Sequence, residues 1–360
     1  MPRPGESLYA SRRRQESMAR LIAYIILVIG SIMIMIPFVF MVSTSLKEKD
    51  RIFTRDLEWI PMRHVRVTHG EQTLSIYNIE GQSGYFALLE RLPSGKVSMA
   101  PVSEEQPEMG ASVQPGTPVV VSEDDIKPVR VFGPSWENYK EALTPPNFKF
   151  VQYLRNTLII TFAALIGQVI SCSLVAFGFS RLRFPGRGVL FIMVLATMML
   201  PAQVTMVPLF KIFVTLGWYD TFLPLIVPAF FATSGFFVFL LRQYFMGIPL
   251  EMDEAARIDG ATTWQIFIKV LVPQAKPAIA TVAIFSFMAH WNDFLGPLIY
   301  LGNPDLRTLA LGLYAFQGEH SIDLHLLMAA ATVVMVPLLL LFAVAQRYFI
   351  QGVVISGVKG

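Results

Sequence analysis

Six long apolar segments constrain this chain more than any other feature of its sequence. Each has close to the ~20 residues that a helix needs to cross the hydrocarbon core of a bilayer. The composition agrees, because 54% of the 360 residues are hydrophobic and only 15% are charged. We therefore predict an all-α polytopic membrane protein with six transmembrane helices. The predicted spans are residues 21–42, 157–177, 189–209, 223–241, 277–299 and 326–349.

Lys and Arg are distributed unevenly between the short loops. If the N-terminus is cytoplasmic, the short outside loops carry only Lys211 and Arg307, and the cytoplasmic segments carry many cations. Short cytoplasmic loops are the ones enriched in Lys and Arg. We therefore expect both termini to be cytoplasmic. The cations assigned to the cytoplasm are Arg3, Arg12, Arg13, Arg14, Arg20, Arg181, Arg183, Arg187, Arg242, Arg257, Lys269, Lys276, Arg347 and Lys359.

The segment between the first two spans differs in composition from the rest. Four short β-favouring runs separated by glycines predict a small β-rich unit within residues 51–130. A partly disordered loop is the alternative, because residues 104–118 are rich in Glu, Gln, Pro and Gly. Trp136 and Tyr139 then predict a short interfacial helix. The β-favouring runs are residues 65–67, 74–77, 96–99 and 119–121.

These patterns divide the chain into four regions. Residues 1–20 form a cytoplasmic N-terminus and residues 21–45 the first transmembrane helix. Residues 46–135 form the extracytoplasmic β-rich insert. Residues 136–360 hold the other five spans, with a polar cytoplasmic loop at residues 242–276.

The polar loop has the pattern of two short helices separated by Gly260, where glycine allows the positive φ that ends a helix. In the first, Met252, Ala255 and Ala256 have the spacing of one small, smooth face. Its first turn is acidic, which suits the helix dipole. In the second, Thr262 and Gln265 fit a capping box. Four apolar residues fall at helical spacing after that box: Trp264, Phe267, Ile268 and Leu271.

The sequence Glu254-Ala255-Ala256, followed by Gly260 and by Val270-Leu271-Val272-Pro273, resembles the EAA loop of the membrane subunits of binding-protein-dependent ABC importers. Val270 and Val272 stand where the pattern has Ile and Leu. Asp259-Gly260-Ala261 is also typical of that family. Further segments resemble carbohydrate-type permeases, the group of the maltose-transporter inner subunit. They are 45–47, 138–139, 153–157, 200–201, 291–294 and the tail 347–360.

The resemblance implies a type I ABC importer permease with a coupling helix that docks on a separate ATPase. The implied partners are a dimer of cytoplasmic ATP-binding subunits, a second permease subunit in a heterodimer, an extracytoplasmic substrate-binding protein and the lipid bilayer. It also implies a sugar or oligosaccharide as cargo, alternating access, and a prokaryotic cytoplasmic (inner) membrane. The coupling residues that it implies are Glu254, Ala255, Ala256, Asp259, Gly260, Ala261 and Pro273.

No catalytic or metal-binding residues are predicted in this chain. It has no Gly-x-x-x-x-Gly-Lys-Ser/Thr phosphate loop, so ATP and magnesium belong to the partner ATPase and we expect no cofactor here. Cys172 stands alone, and no basic aromatic face suggests nucleic acid. Two alternatives remain: a membrane-anchored sensor or enzyme acting through residues 51–130, and a self-contained channel.

A few polar residues fall inside predicted spans, where they face a bundle interior or a watery path. Asn292 and Asp293 in the fifth span are candidates for hydrogen bonds between helices or for the translocation pathway. Gln203 in the third span has the same two interpretations. His290 is interpreted as structural.

Overall fold

The computed structural model describes residues 4–49, 59–69, 72–82, 84–92, 95–102, 118–122, 125–144, 148–316 and 323–355. Two compact units are present. One comprises Met1–Ala142 and Asp323–Thr332, and the other Leu143–Ile322 and Val333–Gly360. The longer helices are Pro4–Ser45, Glu137–Leu143, Phe150–Arg181, Arg187–Thr197, Ala202–Thr215, Gly235–Gly247, Glu251–Ile258, Thr263–Gln274, Lys276–Trp291, Leu295–Tyr300 and Leu324–Ile355.

The number of membrane spans agrees with the sequence. Four helical stretches are long and apolar enough to cross a bilayer, and two further pairs of helices qualify if each bent pair is one span. The first helix begins at Pro4, so the predicted N-terminal region continues the first span as helix instead of forming a separate segment. These four stretches are Ser17–Ser45, Phe150–Arg181, Leu223–Gly247 and Leu324–Gln346.

The third span is broken within its predicted bounds, and the helix of the fifth span is shorter than predicted. In the third, Arg187–Thr197 and Ala202–Thr215 meet at 99°, and Pro201 caps the second helix in an extended conformation. The fifth span, predicted at residues 277–299, is helical as Lys276–Trp291, and the helix Thr263–Gln274 of the preceding loop meets it at 78°. Hydropathy reports the length of an apolar run, so it misses bends at residues that are themselves apolar.

The fourth span is also interrupted. Its short helix Leu223–Ile226 continues as the 3₁₀ turn Val227–Phe231, and Ala232 then adopts a left-handed φ of 51° before helix resumes at Gly235. Ser171 satisfies the backbone at this break. Its hydroxyl donates to the Ala229 carbonyl at 2.8 Å and accepts from the Ala232 N–H at 3.1 Å.

The insert is a β unit, as predicted. A sheet is formed in the order β2-β3-β4-β5-β6, with β7 paired to β3, and β1 pairs with β8 in a separate two-stranded ribbon. All neighbouring pairs are antiparallel. The stretch 103–117, which carries most of the predicted disordered part, lies outside the described residues. The strands are β1 Met62–His64, β2 Arg66–His69, β3 Gln72–Ile79, β4 Phe86–Arg91, β5 Lys96–Pro101, β6 Val119–Ser122, β7 Ile126–Pro128 and β8 Arg130–Phe132.

Four of the strands were predicted, and the sheet has its own core. Its buried side chains include Val67, Ile76, Ala87, Val97 and Met99, each at most 1% exposed. Val67, Ile76 and Ala87 belong to one buried cluster, and Val97 and Met99 belong to a second. The strands at 62–64, 86–91, 126–128 and 130–132 were not predicted, because most are too short to show the period-two pattern of a strand.

The two ends of the insert are joined by side chains. Asn138 Nδ2 donates to the carbonyls of Ser45 and Lys47, both at 2.8 Å. The hydroxyls of Ser45 and Tyr139 also bond at 2.8 Å. The two family-like segments that flank the insert in sequence therefore contact each other in space, and the β unit is inserted between them.

We expect Asn138→Ala to destabilise the protein by about 1–3 kcal/mol, because it leaves two buried carbonyls without donors. The measurement is the midpoint of heat-induced loss of the monodisperse peak in detergent. Glu141→Ala, on the exposed side of the same helix, is the matched control. An unchanged midpoint for Asn138→Ala would contradict the joining role.

Candidate functional site

The loop between the fourth and fifth spans forms an elbow, which we define as residues 248–276. Its first arm is the helix Glu251–Ile258, with the predicted acidic first turn. Gly260 follows the helix cap with φ +80°. Its N–H bonds the Arg257 carbonyl and the Ala261 N–H bonds the Ala256 carbonyl, at 3.0 and 2.9 Å. These two bonds form a Schellman motif, which stops the first arm at a fixed angle.

The second arm starts with the predicted capping box. The Thr262 N–H donates to Gln265 Oε1 at 2.8 Å, and the Gln265 N–H donates to Thr262 Oγ1 at 3.3 Å. Because one cap closes the first arm and the next opens the second, only Asp259, Gly260 and Ala261 lie between them. The elbow is therefore a tight corner closed by the Schellman motif on one side and the capping box on the other.

The second arm departs from the predicted apolar face. Its middle, Ile266–Leu271, is wound as a π-helix, whose wider turn shifts the side chains around the axis. Ile266 is buried in consequence, whereas Trp264 and Ile268 are 56% and 45% exposed. Pro273 follows this segment and has no N–H to bond the carbonyl four residues before it, which favours irregular winding there.

The buried face of the second arm belongs to the main core of the second unit. Phe267 lies between Phe177 and Phe245, with ring centroids 4.9 and 6.4 Å away. Leu271 and Ala275 are fully buried in the same cluster. Any displacement of this arm must therefore displace the helices Phe150–Arg181 and Gly235–Gly247, because close-packed interiors transmit strain.

A buried ion pair fixes the first arm to the helix Phe150–Arg181. Arg181 Nε lies 3.1 Å from Asp253 Oδ2, and the two side chains are only 4% and 7% exposed. Arg181 Nη2 also donates to the Ile248 carbonyl at 2.7 Å. The sequence assigned Arg181 only to the basic loops and Asp253 only to the helix dipole. A single sequence does not indicate that two residues 72 positions apart contact each other.

The opposite face of the first arm is left uncovered by the residues that the structure describes. Glu254 and Ala255 are exposed, Ala256 is half-buried, and Ile258 is 87% exposed. Met252 turns back toward the second arm, where its sulfur accepts from Gln274 Nε2 at 3.2 Å. The sequence did not identify Ile258, although it lies three residues after Ala255 on the same face. Of the other predicted coupling residues, Asp259, Gly260 and Pro273 are exposed and Ala261 is half-buried.

The predicted pathway residues lie at helix ends. The fifth span ends at Trp291, so Asn292 and Asp293 lie at a break and not within a helix as the sequence suggested. Asn292 Nδ2 bonds the Met288 carbonyl at 2.9 Å, and Asp293 Oδ1 accepts from the Gly296 N–H at 3.1 Å. These are local caps rather than bonds between helices. Gln203 is exposed in the first turn of Ala202–Thr215.

His290 bonds a backbone group of its own helix. Its Nδ1 lies 2.7 Å from the Ser286 carbonyl oxygen, so this ring nitrogen donates within its own helix. Across the described part of the chain, no group of three or more His, Cys, Asp or Glu side chains could hold a metal ion.

Comparison with known proteins identifies the family. Residues 168–355, which include the elbow, match the model of the binding-protein-dependent transport system inner membrane component. The chain belongs to this family. The resemblance in the sequence is thereby confirmed, and the chain is a permease subunit of an ABC importer rather than an enzyme.

Named relatives agree with this assignment. A probable ABC transporter permease of Pyrococcus horikoshii is 35% identical over 244 residues, 68% of this chain and 87% of the relative. The arabinooligosaccharides transport system permease AraQ of Bacillus subtilis is 32% identical over 63% of this chain and 79% of its own. The trehalose/maltose transport system permease MalG of Thermococcus litoralis is 34% identical over 62% and 81%.

A solved structure supports the architecture. A chain of a bacterial ABC transporter involved in the import of the acidic polysaccharide alginate superposes with a TM-score of 0.63. The match covers 93% of this permease and 98% of that chain at 20% sequence identity. It therefore shows the type I importer fold, with most of the β insert inside the matched region.

Removing either partner of the Arg181–Asp253 pair should destabilise this permease by about 3–5 kcal/mol, because a charge is left buried without its partner. Asp253→Leu and Arg181→Met test the two halves by heat inactivation in detergent. The double variant should recover at least half of the loss, because an apolar pair needs no compensating charge. A double variant as unstable as the sum of the single variants would rule out the pairing.

Gly260→Ala should cost about 1–2 kcal/mol, the penalty of a left-handed conformation for a residue with a Cβ. The space around a Cβ at Gly260 is open, so the cost is confined to the backbone. Gly260→Asn is the matched control, because Asn tolerates this conformation better. Limited proteolysis at Arg257 reports the loosening of the corner, and equal cleavage of the Ala and Asn variants would contradict a backbone origin.

Proposed function

We propose that this permease subunit imports a sugar or oligosaccharide delivered by an extracytoplasmic binding protein, and that a separate cytoplasmic ATPase drives the transport. The single observation that carries the coupling role is the elbow itself. One of its arms is packed in the core, and the other presents an uncovered face. Glu254, Ala255, Ala256, Asp259, Gly260, Ala261 and Pro273 are the proposed coupling residues.

The cargo class is supported by the relatives' names. Curated relatives at 32–34% identity are named for arabinooligosaccharides and for trehalose/maltose. The proposed complex holds two permease subunits, here a heterodimer, and two ATPase subunits that bind ATP and magnesium. In the proposed topology both termini and the elbow are cytoplasmic and the β insert is extracytoplasmic, which agrees with the distribution of Lys and Arg.

The geometry of the elbow suits it to transmit movement from the ATPase to the spans. The first arm is short and is held at both ends, by the Arg181–Asp253 pair and by the Schellman motif at Gly260. When the ATPase subunits close on ATP, they move the docked arm. Because the second arm shares a core with the second and fourth spans, that movement rotates the spans and exchanges inward-open and outward-open states.

The uncovered face of the first arm is suited to bind in a groove on the ATPase. Ala255 contributes almost no bulk, so a partner's backbone can approach closely, and Ile258 supplies an apolar anchor next to it. Burying Ile258 completely would contribute about 1.5–3 kcal/mol. An exposed ion pair made by Glu254 would contribute only about 0.2–1 kcal/mol. Shape and apolar contact therefore dominate the proposed docking.

Ala255→Leu with Ala256→Leu should abolish substrate-stimulated ATP hydrolysis by the complex in proteoliposomes, because two added side chains overfill the groove. The permease should remain in the membrane at wild-type levels. Thr263→Leu adds similar bulk at an exposed position of the second arm and should leave the stimulation intact. Unchanged stimulation in the Ala255/Ala256 variant would overturn the docking proposal.

Gln203, Asn292 and Asp293 are proposed to line the translocation pathway. The support is their position at breaks and helix starts. Within a membrane, polar groups at such places must lie beside protein or water.

Gln203→Ala should raise the substrate concentration for half-maximal transport and leave folding unchanged, since Gln203 is exposed. Thr215→Ala, at the other end of the same helix, is the control; equal effects of both would argue against a pathway role.

A further inference from the structure

The two-stranded ribbon β1–β8 and its flanking residues form an apolar surface at the base of the insert, here named the apolar foot. Strand pairing places Met62 opposite Phe132, and the Gly133 N–H bonds the Pro61 carbonyl at 3.3 Å. The pairing brings the exposed apolar residues of both strands together at one end of the insert, with Val131 and Phe132 on opposite faces of the ribbon. Its exposed members are Trp59 (44%), Ile60 (60%), Val131 (49%), Phe132 (68%) and Trp136 (65%).

The foot lies beside the end of the first span. The Trp59 carbonyl accepts from the Ser43 hydroxyl at 2.6 Å, and the Trp59 ring meets Phe40 edge-on with centroids 6.2 Å apart. Phe40 is five residues before the end of this helix at Ser45, or about 7.5 Å along its axis. Trp59 is therefore level with the last turns of an apolar, membrane-crossing helix.

Charged groups mark the boundary of that depth. Lys47 Nζ lies 5.5 Å from the centre of the Phe40 ring and Lys47 is buried, so the first charge after the span is packed against the helix end. Glu48 follows and accepts from Arg66 Nη2 at 3.0 Å and from the His64 N–H at 3.3 Å. The Glu48 carboxylate thereby fixes strands β1 and β2 to the end of the span.

We propose that the apolar foot inserts into the headgroup and upper acyl region of the membrane leaflet on the insert's side, and so sets the orientation of the β insert on the bilayer. The occupant is lipid because the foot contacts the end of the first span, and no residue of that span's apolar window is buried by the part of the chain that the structure describes. Trp at the membrane interface and bulky apolar residues just below it are the composition of such surfaces.

The test is a spin label on single cysteines in the assembled transporter, reconstituted into liposomes. Cys172→Ala removes the native thiol, and Phe132→Cys and Ile60→Cys then report on the foot. Met33→Cys, on the exposed surface of the first span, is the lipid reference. Val120→Cys, exposed on β6, is the water reference. Collision rates with oxygen, which concentrates in lipid, are compared with those of a water-soluble nickel complex.

The ratio of oxygen to nickel collisions at Phe132→Cys and Ile60→Cys should exceed that at Val120→Cys several-fold, and should approach that at Met33→Cys. A ratio equal to that at Val120→Cys would place the foot in water and overturn the proposal. Low collision rates with both reagents would show that a second protein chain covers the foot, and would overturn it equally. Neither result depends on the identity of the cargo.

Discussion

The need to satisfy every backbone hydrogen-bonding group inside a membrane underlies this structure. An unpaired N–H or C=O in hydrocarbon costs several kcal/mol, yet the fourth span breaks near mid-length. Ser171 resolves the conflict, because its hydroxyl bonds both Ala229 and Ala232 across the break. At the end of the fifth span, Asn292 bonds the Met288 carbonyl in the same way. At these two breaks a polar side chain replaces a lost helical bond.

Outside the membrane, the hydrogen bonds that satisfy helix ends also close the corner of the elbow. Its two arms change direction within three residues, and both helix ends are satisfied by backbone or side-chain bonds. A corner with so few free groups has little conformational entropy to lose, so the arms keep their angle when a partner pushes on one of them. The buried Arg181–Asp253 pair adds a second point of attachment, which makes the first arm resist rotation as well as bending.

Local chemistry could be predicted from the sequence, and long-range contacts could not. Three kinds of feature depend only on neighbouring residues and were predicted correctly: the capping box at Thr262, the positive φ of Gly260 and four strands of the insert. The family resemblance rested on the same local motifs and proved right. Other features depend on tertiary packing, which leaves no periodic pattern in a single sequence. They are the π-helix at 266–271, the 99° and 78° bends and the pairing of Arg181 with Asp253.

The insert shows how a membrane fold accepts an additional unit without rebuilding itself. Asn138 ties together Ser45 and Lys47, so the chain leaves the first span and returns at almost the same point. An insertion with adjacent ends leaves the surrounding helices in their original register. The orientation of the β unit relative to the bilayer must also be fixed, because a unit attached only through Asn138 could rotate. Glu48 restrains that motion by bonding strands β1 and β2 to the end of the span, which places the exposed face of the ribbon at membrane level and not in solution.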